Sequence, residues 1–146
     1  MFNVSRLREC DICQGFIECL SELRPVGLTD DEAKSIFRKH NQNVYIVKTD
    51  DVNVSPFRRI VGCATLFLEQ KFIHQGGVVA HVEDFVVSSY FRGMGVGKLL
   101  MERLIRESKE AGAYKIILDS GLDSLYFYQK CGFTPWEQQL RMDLDV

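Results

Sequence analysis

The stretch from Val86 to Leu100 constrains this chain more than any other. Two β-branched residues lead through Ser88-Ser89-Tyr90-Phe91 into Arg92-Gly93-Met94-Gly95-Val96-Gly97-Lys98, and an amphipathic run follows. Val96, Leu100 and Leu104 recur on one face of that run, and Glu102, Arg106 and Glu110 on another, so a helix is predicted to Ala111, stopped by Gly112. Three glycines at alternate positions between a strand and a helix let the backbone approach a ligand closely. They also set several N–H groups at the positive end of a helix dipole, a seat for an anion such as a pyrophosphate. A tight β–α turn with no ligand would use the same glycines. Two nucleotide motifs fail on spacing. The dinucleotide fingerprint begun at Gly93 needs glycine where Lys98 stands, and begun at Gly95 it meets Leu100. Asp119 lies near the distance of a ribose-binding acid, but the strands before the loop contradict that fold. A phosphate loop of the Gly-Lys-Ser/Thr kind fails at Leu99 and at Arg92.

Around this unit the chain reads as a single α/β domain, a mixed sheet flanked by helices. Ile12, Phe16, Leu20 and Leu23 predict a helix over Asp11–Leu23, broken by Arg24-Pro25-Val26-Gly27. Thr29-Asp30-Asp31-Glu32 forms a capping box that opens a second helix, with Ala33, Ile36, Phe37 and His40 on one face. Val44–Val47, Ile60–Glu69 and Val78–Val87 read as strands with no helical segment between them, hence an antiparallel meander. Tyr114–Asp119 predicts another strand, Asp123–Cys131 a short helix ended by Gly132, and Gln138–Leu144 a terminal strand. The predicted order is α-α-β-β-β-α-β-α-β.

Composition narrows the function classes. With 146 residues, 46% apolar and 26% charged, the chain suits one folded domain. Eighteen basic against 20 acidic residues give a net charge of −2, which argues against a nucleic-acid partner held by bulk electrostatics. No apolar run approaches the roughly 18 residues of a membrane span, and no secretory core or targeting tripeptide is evident at either end. Five scattered cysteines suit a reducing, cytoplasmic setting.

The segment Arg92-Gly93-Met94-Gly95-Val96-Gly97, placed after a long strand and before a long helix, resembles the acetyl-CoA pyrophosphate loop of the GNAT superfamily of N-acetyltransferases. The order of elements matches that superfamily over nearly the whole chain. Lys71-Phe72-Ile73-His74, His81-Val82-Glu83-Asp84-Phe85-Val86-Val87, Tyr114-Lys115-Ile116-Ile117-Leu118-Asp119 and Phe127–Phe133 are similar to the glucosamine 6-phosphate N-acetyltransferase family within it. The likeness is densest from 71 to 133 and thinner before 60, where Arg24-Pro25 stands in place of the family's threonine.

This resemblance implies acetyl transfer from acetyl-CoA to the amine of D-glucosamine 6-phosphate, feeding UDP-N-acetylglucosamine synthesis, with no metal. It implies that Phe85, Val86, Val87, Arg92–Lys98, Ser120 and Tyr128 contact acetyl-CoA, Met94 and Val96 among them. Tyr128 would give a proton to the departing thiolate; its residue pattern alone reads rather as a core aromatic beside Leu125 and Cys131. Asp119 would orient the amine, against a plain turn aspartate. Glu83 and Asp84 are substrate contacts in the family, and as neighbours in a strand they should point to opposite faces. Lys71, His74 and Arg141 become phosphate ligands, joined by Tyr114 and Lys115; taken singly each is a solvated side chain. A homodimer is implied too, with the last strand and Arg141 reaching the partner's site.

Other readings share these residues. The same fold could acetylate a polyamine, a protein lysine or an N-terminus, or a CoA-binding module could do no chemistry. Cys10-x-x-Cys13 lacks a second pair with zinc-ligand spacing and sits more simply in the first helix. Cys131 as an acetyl-carrying nucleophile competes with a structural thiol at a helix end.

Overall fold

The computed structural model describes residues 1–40 and 43–146. Five strands form one sheet in the order β1-β2-β3-β4-β5. They are β1 Phe2–Arg6, β2 Asn43–Thr49, β3 Ile60–Gln70, β4 Val78–Val87 and β5 Ala113–Ile117. The first four are antiparallel neighbours, as expected of the meander, whereas β5 runs parallel to β4. The helices are α1 Phe16–Ser21, α2 Asp30–Lys39, the single turn α3 Ile73–Gly76, α4 Val96–Glu110 and α5 Leu125–Lys130.

Each sheet face buries its own helices. On one face α4 lays Val96, Leu100, Met101 and Leu104 against Tyr45, Val47, Val61, Leu66, Ala80 and Val82. Each such side chain taken from water contributes roughly 1.5–3 kcal/mol, so this stripe fixes α4 firmly. The opposite face carries α1, α2 and the turn Glu9–Gln14 before them, packed through Cys19, Ala33 and Ile12 on Val44, Ile46, Cys63 and Val86. The capping box of α2 forms as expected: Thr29 Oγ1 accepts from the Glu32 N–H at 3.2 Å, and Glu32 Oε2 from the Thr29 N–H at 2.8 Å.

Four expectations need correction. A strand precedes the first helix: Val4 and Phe2 pack inward while β1 pairs with β2, a run too short and mixed to register as periodic. The helix expected over Asp11–Leu23 is two pieces, a 3-10 turn at Glu9–Gln14 and then α1. Gly15 separates them at φ 97, and a Cβ there would lie 2.9 Å from the Arg58 Cα, so the break comes from the close approach of the Pro56–Arg58 turn. β5 ends at Ile117, leaving Asp119 in a loop, and a 3-10 turn at Leu122–Ser124 leads into α5. The terminal strand at Gln138–Leu144 is absent: the segment is irregular, with Leu140 89% and Met142 83% exposed. An alternating pattern specifies which side chains share a face, but a strand also needs a neighbouring backbone, and the described residues of one chain offer this segment none.

The α1 side is tied to the sheet by a fully buried carboxylate. Asp11, 0% exposed, accepts from the Arg8 N–H at 2.8 Å and from its guanidinium at 3.1 and 3.2 Å, and pairs with the Lys48 ammonium on β2. Burial alone would raise its pKa, but the Arg8 and Lys48 hydrogen bonds prevail and hold it below the ordinary value of 3.8. A carboxyl with a depressed folded-state pKa contributes stability above its unfolded pKa and loses it as pH falls through the folded one. Asp11→Ala should therefore cost on the order of 3 kcal/mol at neutral pH, read from urea midpoints. Between pH 6 and pH 3 the wild-type midpoint should fall more steeply than that of Asp11→Asn; parallel slopes would mean that the buried pair carries no linkage.

Candidate active site

The β4–β5 ladder stops at His81↔Ile117, although β4 continues to Val87. Past that point β4 has β3 on one side and an unpaired backbone edge on the other. Register changes here as well. From Cys63↔Val86 to Thr65↔Glu83, β3 moves two residues (63 to 65) and β4 three (86 to 83), so β4 carries a bulge around Asp84, whose φ is 50. This overturns simple alternation of Glu83 and Asp84. Val82 packs beneath α4 and Val86 beneath α1, although both are even-numbered. The slip was legible: inward positions run Ala80, Val82, then Phe85, Val87.

At the far end of this edge stands the glycine loop. Gly93 and Gly95 take left-handed φ of 79 and 84, and a Cβ on either would meet nothing within 4 Å. Their bare surface faces open space at the start of α4, whose first N–H groups have no intrahelical acceptor. This cradle fits a pyrophosphate. Gly97 does a different job. It is helical, and a Cβ would sit 3.0 Å from Phe127 Cζ, so its lack of a side chain lets α5 close on α4. The expectation that all three glycines bare the backbone for a ligand is corrected for Gly97 accordingly. Val96 is buried and offers only backbone, Met94 and Lys98 are exposed, and Arg92 Nε donates to the Val87 carbonyl at 3.2 Å.

Tyr128 reaches the same edge from α5. Its ring is 8% exposed and packs edge-on against Phe85 at 5.8 Å, Phe127 at 5.2 Å and Phe133 at 6.1 Å. Burial, with a smaller push from Cys131, raises its phenol pKa, so the hydroxyl keeps its proton at neutral pH. Burial and Glu102 likewise lift the Cys131 thiol, an arrangement that disfavours a thiolate. Partial burial, then the charges of Asp119 and Asp84, raise Glu83. Glu83 thus feels two like charges, a setting that favours a cation. Asp119 accepts from Gln139 Nε2 at 2.9 Å, a contact that no spacing in the sequence announces, and the Ser120 hydroxyl donates to the Gly121 carbonyl at 2.7 Å.

The expected phosphate ligands lie elsewhere. α3 is a left-handed turn, with His74 at φ 51 and Gln75 at φ 56, and it stacks His74 on Tyr114 at 4.1 Å. Lys115 Nζ lies 5.7 Å from that ring, and Lys71 pairs with Glu69 at 2.9 Å. This cluster flanks Val78, and five residues of β4, roughly 17 Å at strand rise, separate it from Glu83. Arg141 is on the exposed tail, paired with Asp143, and is not brought to either group. Cys10 and Cys13 share one 3-10 turn, with the Cys13 thiol donating to the Cys10 carbonyl at 3.4 Å.

The acetyltransferase (GNAT) family model matches residues 10–133. The chain belongs to that family. Members of the family use acetyl-CoA, and the glycine cradle has the bare backbone and free N–H groups that its pyrophosphate needs. Among curated proteins, the glucosamine 6-phosphate N-acetyltransferase of Trypanosoma brucei brucei is 48% identical over 89 residues; the match spans 61% of this chain and 60% of that protein's length. A probable glucosamine 6-phosphate N-acetyltransferase 2 of Oryza sativa subsp. japonica is 38% identical over 137 residues, 90% of this chain and 81% of that one. The crystal structure of glucosamine-6-phosphate N-acetyltransferase from Arabidopsis thaliana superposes with a TM-score of 0.90 at 30% identity, covering 99% of both chains. No helix among the described residues is long and apolar enough to cross a membrane.

The two kinds of glycine should separate by experiment. Gly95→Val puts a branched side chain in the cradle and strains a left-handed residue by about 1–2 kcal/mol, so CoA affinity should fall by on the order of tenfold or more. Gly97→Val should chiefly lower the melting temperature, and Phe127→Leu should restore part of that loss. Equal CoA affinity for folded Gly95→Val and wild type, by calorimetry, would remove the cradle assignment.

Proposed function

We propose that this chain transfers the acetyl group of acetyl-CoA to the amine of D-glucosamine 6-phosphate. What carries the reading is one gathering at the open edge of β4: a left-handed glycine cradle, a protonated Tyr128 and the acids Glu83, Asp84 and Asp119. It is supported by likeness to the rice protein over 90% of the chain.

When bound, acetyl-CoA supplies an activated thioester. The unpaired edge of β4 suits an extended acyl carrier lying alongside it as an added strand would. The bulge at Asp84 leaves a backbone N–H outside the ladder, a donor for charge developing on the carbonyl oxygen. Glu83, Asp84 and Asp119 draw the substrate ammonium into place, and a hexosamine amine sheds its proton readily near neutral pH. As the amine nitrogen bonds to the acetyl carbon and the carbon–sulfur bond breaks, Tyr128 gives its proton to the sulfur, and the proton the nitrogen sheds passes through solvent to restore the Tyr128 hydroxyl.

The sugar phosphate calls for cations, and His74, Lys71 and Lys115 lie too far along β4 to serve the acids of their own chain. Two copies would resolve this. The tail exposes Trp136 at 89% and Leu144 at 74%, and Phe72 on the turn before α3 is fully exposed. Pairing across a twofold axis would cover this surface and carry Arg141 to the other subunit. Light scattering should find a dimer for the full chain and a monomer after truncation at Gly132; a monomer with full activity would exclude a shared site.

Tyr128→Phe should lower kcat by on the order of 100-fold while leaving acetyl-CoA affinity near wild type. Thiol release measured over amino-sugar phosphates, polyamines and peptides should favour the hexosamine phosphate. Preference for a polyamine or peptide would replace the substrate, and an unchanged kcat would return Tyr128 to the core.

A further inference from the structure

We propose that Glu22 is a positioning residue for the loop that receives acetyl-CoA, acting on it through the Ser89 N–H; this rests on the acyl-transfer reading above. Glu22 caps the C-terminal end of α1, 67 residues before Ser89. Ser89 opens the 3-10 turn Ser89–Phe91 between β4 and the glycine cradle, and the residue before it, Ser88, supplies no side-chain cap. The first N–H of such a turn has no acceptor within the turn. Glu22 provides one from another layer of the fold. Its Oε2 accepts from the Ser89 N–H at 2.7 Å, and Oε1 accepts from the Ser89 and Ser88 hydroxyls at 3.3 and 3.4 Å.

The rest of the turn closes on itself. The Phe91 N–H donates to the Ser88 carbonyl at 2.9 Å, the Ser88 N–H to Val61 at 2.8 Å, and Arg92 Nε returns to Val87. Among the described residues, Glu22 is thus the side-chain anchor, from outside the segment, of the stretch that sets where Gly93 and Gly95 begin. Its charge would be a poor choice for any other purpose there. A carboxylate beside a pyrophosphate seat repels the ligand, so its benefit must come from the geometry it imposes. α1 itself does not depend on the contact, since Ile12, Cys19 and their neighbours already bury that layer.

The test measures CoA affinity by calorimetry, then steady-state constants and melting temperature, for wild type, Glu22→Ala, Glu22→Gln and Ser89→Pro. Loss of a charge-assisted hydrogen bond predicts a five- to tenfold (roughly) weaker CoA affinity and a matching rise in KM for acetyl-CoA in Glu22→Ala. kcat at saturation and KM for the amino sugar should stay within about twofold. Glu22→Gln keeps an oxygen for the Ser89 N–H without the charge, so it should recover most of the affinity. Ser89→Pro removes the N–H itself, and Ser88 already has the extended ψ of 132 that a following proline accepts. It should reproduce the loss, and combining it with Glu22→Ala should add little. Wild-type CoA affinity in Glu22→Ala would overturn the proposal. So would an equal loss for both substrates with a lowered melting temperature, or a Gln variant as weak as Ala. If Glu22→Ala does not fold, Ser89→Pro decides alone, since undiminished CoA affinity there also overturns it. A wild-type protein that binds no CoA would instead refute the acyl-transfer reading.

Discussion

The early end of the β4–β5 ladder governs the rest of this molecule. Parallel strands normally stay buried and paired, with a crossover helix covering the join. Here the pairing ends at His81 and Ile117 while β4 runs on to Val87, which opens a polar edge between the last two strands of the sheet. The bulge at Asp84 is the local cause, because an extra residue bends and twists its strand away from a neighbour. α4 and α5 make the opening permanent. Gly97 lets Phe127 settle against α4, and Phe127 and Tyr128 in turn pack against Phe85 on the unpaired part of β4.

Charge follows from that opening. The helix start and the bare backbone at Gly93 and Gly95 present positive potential at one end. Glu83, Asp84 and Asp119 present negative charge nearby, unneutralised enough that burial and mutual repulsion raise Glu83. One edge thus offers a seat to an anionic carrier and another to a cationic acceptor. A net charge of −2 conceals this separation, since it is local and concerns only a few groups.

Local rules in the sequence foretell much of this. The capping box, the meander, the α4 stripe and its glycine stop all obey short-range periodicity and cap chemistry, and all are present. The left-handed glycines before α4 follow the same local rules, whereas the role expected of Tyr128 rests on family resemblance. What escaped depends on contacts remote in sequence. β1 is a strand because β2 accepts it, and Gly15 breaks the first helix because Arg58 comes close from another loop. The tail illustrates the converse. Its alternation is real, but none of the backbone among the described residues pairs with it. The position of Gly97 was recognised and its task was not, because only the fold reveals that Phe127 occupies the space.

Preorganisation ties these observations together. A flexible glycine loop loses much conformational freedom when it closes on a ligand, and that cost is subtracted from affinity. In this chain the freedom is removed beforehand at the flanks. Val61 holds Ser88, Glu22 holds Ser89, Arg92 holds the Val87 carbonyl, and Val96 is locked into the core one residue after Gly95. Only Gly93, Met94 and Gly95 are left between these anchors. Glycine there supplies a left-handed path and an unobstructed surface, while the stiffness comes from elsewhere. A loop fixed on both sides can present its N–H groups to a pyrophosphate without first being ordered by it, the condition under which the proposed approach of the acyl group to Tyr128 and the acids would be reproducible.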